Sequence, residues 1–176
     1  AAAQALHPLR VAIDGVDAAG KTTLADELAH LLVALGRPVV RASIDGFHRP
    51  RAERYRQGPD SPEGYYFDSF DYPALRRVLL APLGPGGDRR VRTAVYDFKA
   101  DSPRAGQWQT VPQDAILLFD GVFLLSPELN DHWDFRIFVS VGFDETLRRA
   151  CERDRALFGS SEAVRERHLR RYIPGQ

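Results

Sequence analysis

Methionine is missing from this sequence, cysteine occurs once, and only two of its 24 basic residues are lysines. Each scarcity excludes something. A lone Cys151 cannot close an internal disulfide, so a reducing compartment and a cytoplasmic address are expected. It also gives no support to a thiol site and reads as helix packing. The missing methionine, at position 1 as elsewhere, suggests a chain trimmed at its start, with residues 1–9 read as tail. Apolar runs are short: the longest useful one, Ala115 to Phe119, is far below a membrane span, and no secretory leader is visible. Neither sign of charge dominates, since 24 acidic residues balance the 24 basic ones. No global field therefore recruits a nucleic acid polymer or a membrane surface. His7, His30, His48, His132 and His168 show no metal-ligand spacing, and there are no internal repeats. What is left is ordinary globular composition, 44% apolar and 27% charged over 176 residues, enough for one domain with a real core.

One of the two lysines lies in the most informative stretch. Val11-Ala12-Ile13 leads into Gly15-Val16-Asp17-Ala18-Ala19-Gly20-Lys21-Thr22, the spacing G-x-x-x-x-G-K-S/T of a phosphate-binding loop, followed by Thr23. The context is a short buried strand before the loop and an amphipathic helix after it. Leu24, Leu28, Leu31, Leu32 and Leu35 fall on one helical face, and Gly36 marks the C-terminus. Gly15 and Gly20 allow the backbone to approach a phosphate. Successive N–H groups and the helix N-terminus then supply positive potential there. Lys21 offers a mobile charge for the β/γ-phosphates, and Thr22 a hydroxyl for Mg²⁺. In a chain that otherwise almost always uses Arg, a lysine here points to a chemical requirement. A nucleoside triphosphate with Mg²⁺ is the expected ligand.

Further along, Pro38 to Ile44 reads as a second strand ending in Asp45. A carboxylate at such a strand end lies where ligands bind. Asp45 is either a general base for an acceptor hydroxyl, a holder of water on Mg²⁺, or a turn Asp. Arg49, Arg51, Arg54 and Arg56 form a basic stretch read mainly as solvated, and 57–64 reads as a loop. Tyr65 to Tyr72 is dense in rings and acids, as a pocket for a nucleoside-sized ligand would be. Its alternative is a surface segment with Phe67 and Phe70 tucked into the core. Pro73 to Leu80 reads as a helix. Val91 to Phe98 and Gln107 to Val111 read as a hairpin within an insertion over 88–112. Ala115 to Phe119 is a buried strand delivering Asp120 to the Mg²⁺ shell, and Asp134 to Val141 reads as a further core strand. Residues 144–171 read as a helical lid region with eight Arg against four acids from Arg148 to Arg171. Arg149, Arg153 and Arg155 are placed to reach phosphates. Arg167, Arg170 and Arg171 are read as an exposed face.

These residues together resemble the uridine kinase/phosphoribulokinase branch of the P-loop kinases, from about Arg10 to Gln176. The landmarks are the phosphate-binding loop, Asp45-Gly46-Phe47-His48-Arg49, Phe67-Asp68, Tyr96-Asp97-Phe98, Phe119-Asp120-Gly121, and Arg149 with Arg153-Asp154. The resemblance implies a three-layer α/β/α fold with a parallel sheet in order 2-3-1-4-5. It implies that Asp45 is the base and helps hold Mg²⁺, that Asp68 holds ribose hydroxyls, and that Tyr96 and Phe98 surround a base. Arg149 and Arg153 contact phosphates. His48 and Phe67 complete the acceptor side. The sequence departs from the pattern at Asp120-Gly121, where Glu-Gly is usual, and at Asp101, where a pyrimidine-facing His is usual. It departs again near Phe158-Gly159, where the lid Arg-Gly is usual. A fifth strand is expected about where the sequence ends.

The expected function is transfer of the γ-phosphate of ATP to a primary hydroxyl of a small molecule, foremost a nucleoside. Nicotinamide riboside, ribulose phosphate and pantothenate are rival acceptors, and an acceptor-free ATPase or switch is the rival class. Homo-oligomerisation is left open.

Overall fold

The computed structural model describes residues 6–176. Of the expected tail, residues 1–5 lie outside the described residues, and Leu9 already belongs to the first strand. Strand β1 (Leu9–Gly15) runs through the phosphate-binding loop into α1 (Lys21–Ala34), and β2 (Val39–Ser43) follows. Short helices α2 (Arg51–Arg54), α3 (Pro62–Asp68) and α4 (Tyr72–Leu75) come next, α4 continuing as a wider helical turn to Leu80. Four two-residue strands, β3 (Arg90–Val91), β4 (Tyr96–Asp97), β5 (Ser102–Pro103) and β6 (Gln109–Thr110), make up the insertion. Strands β7 (Ile116–Asp120) and β8 (Phe135–Val139) return to the sheet. Helices α5 (Phe143–Arg153), α6 (Arg155–Phe158) and α7 (Ser161–Arg167) follow, and a helical run over His168–Tyr172 ends in α8 (Ile173–Gly175).

The sheet is parallel, in the order β2-β7-β1-β8. Counting the four long strands in chain order, this is 2-3-1-4, the first four places of the expected order. Among the described residues no fifth strand pairs with β8. Helices cover both faces, so β1 and β7 are buried almost end to end. Side chains alternate between the faces. Val11, Ile13, Ile116 and Leu118 pack under Leu24, Leu28 and Leu32 of α1. Ala12, Leu117 and Phe119 meet Phe47, Leu79 and Trp133 on the other side.

Several expectations need correction. The five-leucine face of α1 is only partly used, because Leu31 and Leu35 are 62% and 77% exposed. Helical spacing fixes a direction but does not supply a partner to cover it. Strand β8 is an edge rather than a fully enclosed strand, with Phe135 and Phe138 exposed. The insertion is two short ladders, β3 with β6 and β4 with β5, instead of one long hairpin. Its middle leans on the turn after β2 instead, where Val95 N–H donates to Gly46 C=O at 2.8 Å. Part of the expected 57–64 loop is helical, since Ser61 caps α3 by accepting from Gly64 N–H. Asp71 is likewise an N-cap, accepting from Ala74 N–H. Arg171, read as exposed, is 2% exposed. It donates to the carbonyls of Arg54, Gly58, Pro59 and Ser61, and the Tyr55 and Tyr65 rings lie 5.0 and 5.6 Å from its guanidinium. A charge-rich helix face says nothing about which arginine turns inward.

Candidate active site

The register of the sheet brings the candidate groups together. Asp120 lies opposite Ile13 on one side and Ser43 on the other. The ends of β1, β2 and β7 therefore meet at the carboxyl edge, where open α/β sheets bind ligands. Gly15 ends β1 with φ +147°, and a Cβ there would sit 2.5 Å from Val139 C=O. Close approach of β8 is thus one reason for this glycine, beyond access for a phosphate. Gly20 is left-handed at the N-cap of α1, and Ala18 also has positive φ. The loop bends over the helix N-terminus as phosphate-binding loops do.

Lys21 is buried, with Nζ donating to Val16 C=O at 2.7 Å. Desolvation lowers its pKa, opposed by the charges of Asp17, Asp14, Asp120 and Asp45. Thr22 Oγ1 donates to Asp120 Oδ2 at 2.7 Å. This directs the hydroxyl's lone pairs away from the carboxylate, an arrangement that fits a cation beside the loop. Among the described residues no three His, Cys, Asp or Glu form a cage for an ion. A site of one hydroxyl and one or two carboxylates suits Mg²⁺ carried in on phosphates.

Asp45 sits in a 3₁₀ turn (Ile44–Phe47) capped by Ser43, with its side chain 61% exposed. What burial it has raises its pKa. The hydrogen bond and charge of His48, then Lys21 and Arg153, outweigh this and hold the carboxyl below its usual value. His48 Nε2 lies 3.5 Å from Asp45 Oδ1, and Nδ1 lies 3.2 Å from Ser69 C=O. A carbonyl only accepts, so Nδ1 carries the hydrogen in that contact. The ring is held between Phe70 and Phe98, at 4.6 and 4.9 Å. Arg149 Nη1 donates to Ala19 C=O at 3.3 Å, over the loop. Arg153 is paired with Asp154 and feels the charges of Asp17 and Asp45. Asp45, Lys21, Thr22, Asp120, His48, Phe98, Arg149 and Arg153 are thus gathered at one edge of the sheet.

Three candidates on the acceptor side are placed otherwise. Asp68 is buried and accepts from Arg56 at 2.8 Å and Gln57 at 2.7 Å, so it is not an open carboxylate. Asp101 accepts from Arg51 N–H at 2.8 Å and from the Tyr96 hydroxyl at 3.0 Å. These bonds, the Arg51 one foremost, lower its pKa. It ties the insertion to the start of α2 and does not stand free to face a ring. Phe67 is exposed, its ring edge-on to Tyr66. Neighbouring donors, side-chain and backbone, decide the outcome for the two carboxylates, and spacing along the chain does not reveal them.

Two residues were missed. Asp14, buried in β1, accepts from Gly15 N–H at 2.7 Å and from Leu125 N–H at 2.9 Å. Burial raises its pKa, opposed by those bonds and by Lys21. It binds the phosphate loop to the turn after β7, where Phe123 has positive φ. An acid inside an apolar strand was the available signal. Arg41, within β2, reaches Asp120 Oδ1 at 2.9 Å. Tyr65 adds a link from α3, donating to Asp17 Oδ2 at 2.8 Å from a buried position.

A parallel sheet with a glycine-rich turn, lysine and threonine at the head of α1 defines the class of P-loop α/β proteins. Within that class, the model of the Phosphoribulokinase / Uridine kinase family matches residues 11–173, and the chain belongs to this family. It is 30% identical over 156 residues to uridine-cytidine kinase B of Dictyostelium discoideum, covering 88% of this chain and 62% of that one. It is 31% identical over 155 residues to a pantothenate kinase of Bradyrhizobium diazoefficiens, covering 81% of this chain and 48% of that one. The chain thus spans less than two thirds of these curated relatives. A solved structure described as a possible uridine kinase from Bacillus stearothermophilus superposes with TM-score 0.71 at 22% identity, covering 99% of this chain and 82% of that one. At that identity the likeness concerns the fold. Among the described residues no helix is long and apolar enough to cross a membrane.

Proposed function

We propose that this protein is an ATP-dependent kinase that phosphorylates a primary hydroxyl of a small molecule, with a nucleoside as the first acceptor class. The observation that carries the reading is the sheet register that sets Asp120, hydrogen-bonded to Thr22 at the head of α1, opposite Ser43 at the end of β2, two residues before Asp45. Loop amides and Lys21 hold the β/γ-phosphates. Thr22 and Asp120, with Asp45 nearby, hold Mg²⁺, which when bound neutralises charge on the phosphate oxygens. Asp45, kept ionised by its cationic neighbours, accepts the proton of the acceptor hydroxyl as that oxygen attacks the γ-phosphorus, and the bond to the β–γ bridging oxygen breaks to release ADP. Arg149, which touches the loop at Ala19, and Arg153 meet the transferring phosphate. His48, Phe98 and Tyr96 line the acceptor side.

Pantothenate is a second acceptor class, favoured by a specific observation. Asp68 and Asp101, the carboxylates that would recognise a nucleoside, are already engaged within the chain. Relatives of similar identity carry the name pantothenate kinase. The deciding experiment is ATP consumption and product mass with a panel of nucleosides, pantothenate, ribulose phosphate and nicotinamide riboside. A phosphorylated acceptor is expected. ATP hydrolysis that no acceptor accelerates would overturn the kinase reading and favour a switch.

A further inference from the structure

Arg41 stands inside a parallel strand, where desolvating a guanidinium is costly. Val39, Arg41 and Ser43 share the α1 side of the sheet with Ile116, Leu118 and Asp120, their register partners on β7. The Arg41 fork is almost fully used. Nη2 meets Asp120 Oδ1 and Asp26 Oδ1, each at 2.9 Å, and Nε meets Asp26 at 3.0 Å. Nη1 donates to Leu118 C=O at 2.7 Å and to Ala42 C=O at 3.3 Å. Asp26 lies one turn beyond Thr22 on α1, and Thr22 donates to the second oxygen of Asp120. The four side chains close a ring: Thr22 to Asp120, Asp120 to Arg41, Arg41 to Asp26, and back through one turn of helix.

We propose that Arg41 is a positioning residue for the cation-facing pair Thr22–Asp120. It fixes the distance between the first turn of α1 and the end of β7, and it locks the rotation of the Asp120 carboxylate so that the Thr22 hydroxyl keeps its direction. The proposal rests on the ATP–Mg²⁺ reading above. A part-buried ion pair of this kind adds little to stability compared with apolar residues of the same shape. Its place, at the strand end where ligands bind, gives it a different use. Partners that orient a group serving a metal usually matter by about 10- to 100-fold in metal affinity.

The test is ATP binding to the full chain by calorimetry, once in EDTA and once in Mg²⁺, for wild type, R41M and R41K. In EDTA the variants are expected to bind ATP within about twofold of wild type, because the loop amides and Lys21 are untouched. The tightening produced by Mg²⁺ is expected to fall about 10-fold or more in R41M. In R41K it falls less, since lysine keeps the charge and lacks the fork. Full Mg²⁺ tightening in R41M overturns the proposal, as does an equal loss of affinity with and without Mg²⁺, which a merely structural arginine would give. If R41M does not fold, R41K carries the test, and full tightening in folded R41K overturns it. A wild-type chain whose ATP affinity ignores Mg²⁺ would instead remove the kinase reading itself.

Discussion

Asp45 is the residue on which the proposed chemistry turns. Asp45→Asn keeps the shape and removes the base, so turnover is expected to fall by at least about 100-fold. ATP affinity in EDTA should stay near wild type. Turnover within a factor of a few of wild type would remove Asp45 as base. Its pH behaviour follows from its neighbours. A base works while ionised and loses activity as pH falls through its pKa in the folded protein. Because that value is held below the usual 3.8, Asp45 should impose no acid limb between about pH 5 and 8. His48→Asn removes the largest lowering influence, so the acid limb of kcat/KM should move upward, and an unchanged profile would contradict it. Much at this scale was legible in the sequence. Lys21, Thr22 and Asp120 each sit where an apolar strand or a glycine-bounded loop leaves little choice. Arg41 and Asp14 were not legible as site residues, because one charged residue inside a strand gives no sign of which buried group it meets. Asp68 and Asp101 show the converse: both were visible, but their donors lie on other segments.

Among the elements, β8 is anchored by one ion pair. Asp134 accepts from Arg10 N–H at 2.8 Å, Nε at 3.0 Å and Nη2 at 2.9 Å, while Arg10 is 6% exposed. Burial would raise the Asp134 pKa, and the bonds from Arg10 bring it below the usual value. Its stabilisation is therefore complete above the ordinary carboxylate value of 3.8 and lost as pH falls through the lower folded value. Asp134→Asn leaves a buried guanidinium uncompensated at neutral pH and should cost about 3 kcal/mol in urea unfolding. A change below about 1 kcal/mol would show that solvent already screens the pair. The insertion offers a second prediction. A Cβ on Gly46 would lie 2.8 Å from Ala94 Cβ, so Gly46→Ala should push the insertion off the turn. The KM for the acceptor is expected to rise while the KM for ATP stays put, and equal changes in both would argue against it. The insertion was expected from alternation alone, but its break into two ladders was not, because Val95 finds a partner outside the hairpin.

At the scale of the whole molecule, Arg171 links segments far apart in the chain. It joins the last helical run to the segment between α2 and α3 through carbonyls of Arg54, Gly58, Pro59 and Ser61. Arg171→Met removes all four bonds, leaves the buried Arg54 carbonyl without its partner, and should lower global stability by about 2 kcal/mol. Arg170→Met, at an exposed neighbour, should change it by less than about 0.5 kcal/mol. Comparable melts for the two variants would show that the buried contacts carry no weight. At this scale the sheet order was read through family resemblance rather than from periodicity, and its first four places match. Strand existence was legible because each carries an unbroken apolar run, Val11 to Ile13 in β1 and Ile116 to Phe119 in β7. What hydrophobic spacing could not say was where coverage stops, as Leu31, Leu35, Phe135 and Phe138 show.

The bond from Val95 to Gly46 lies one peptide away from Asp45. In the proposed mechanism, recognition and reactivity therefore share one seat: an acceptor that displaced the insertion would also shift the carboxylate proposed to deprotonate it. Grafting a foreign insertion to obtain a new substrate preference would detune the chemistry unless the seat at Gly46 were grafted with it.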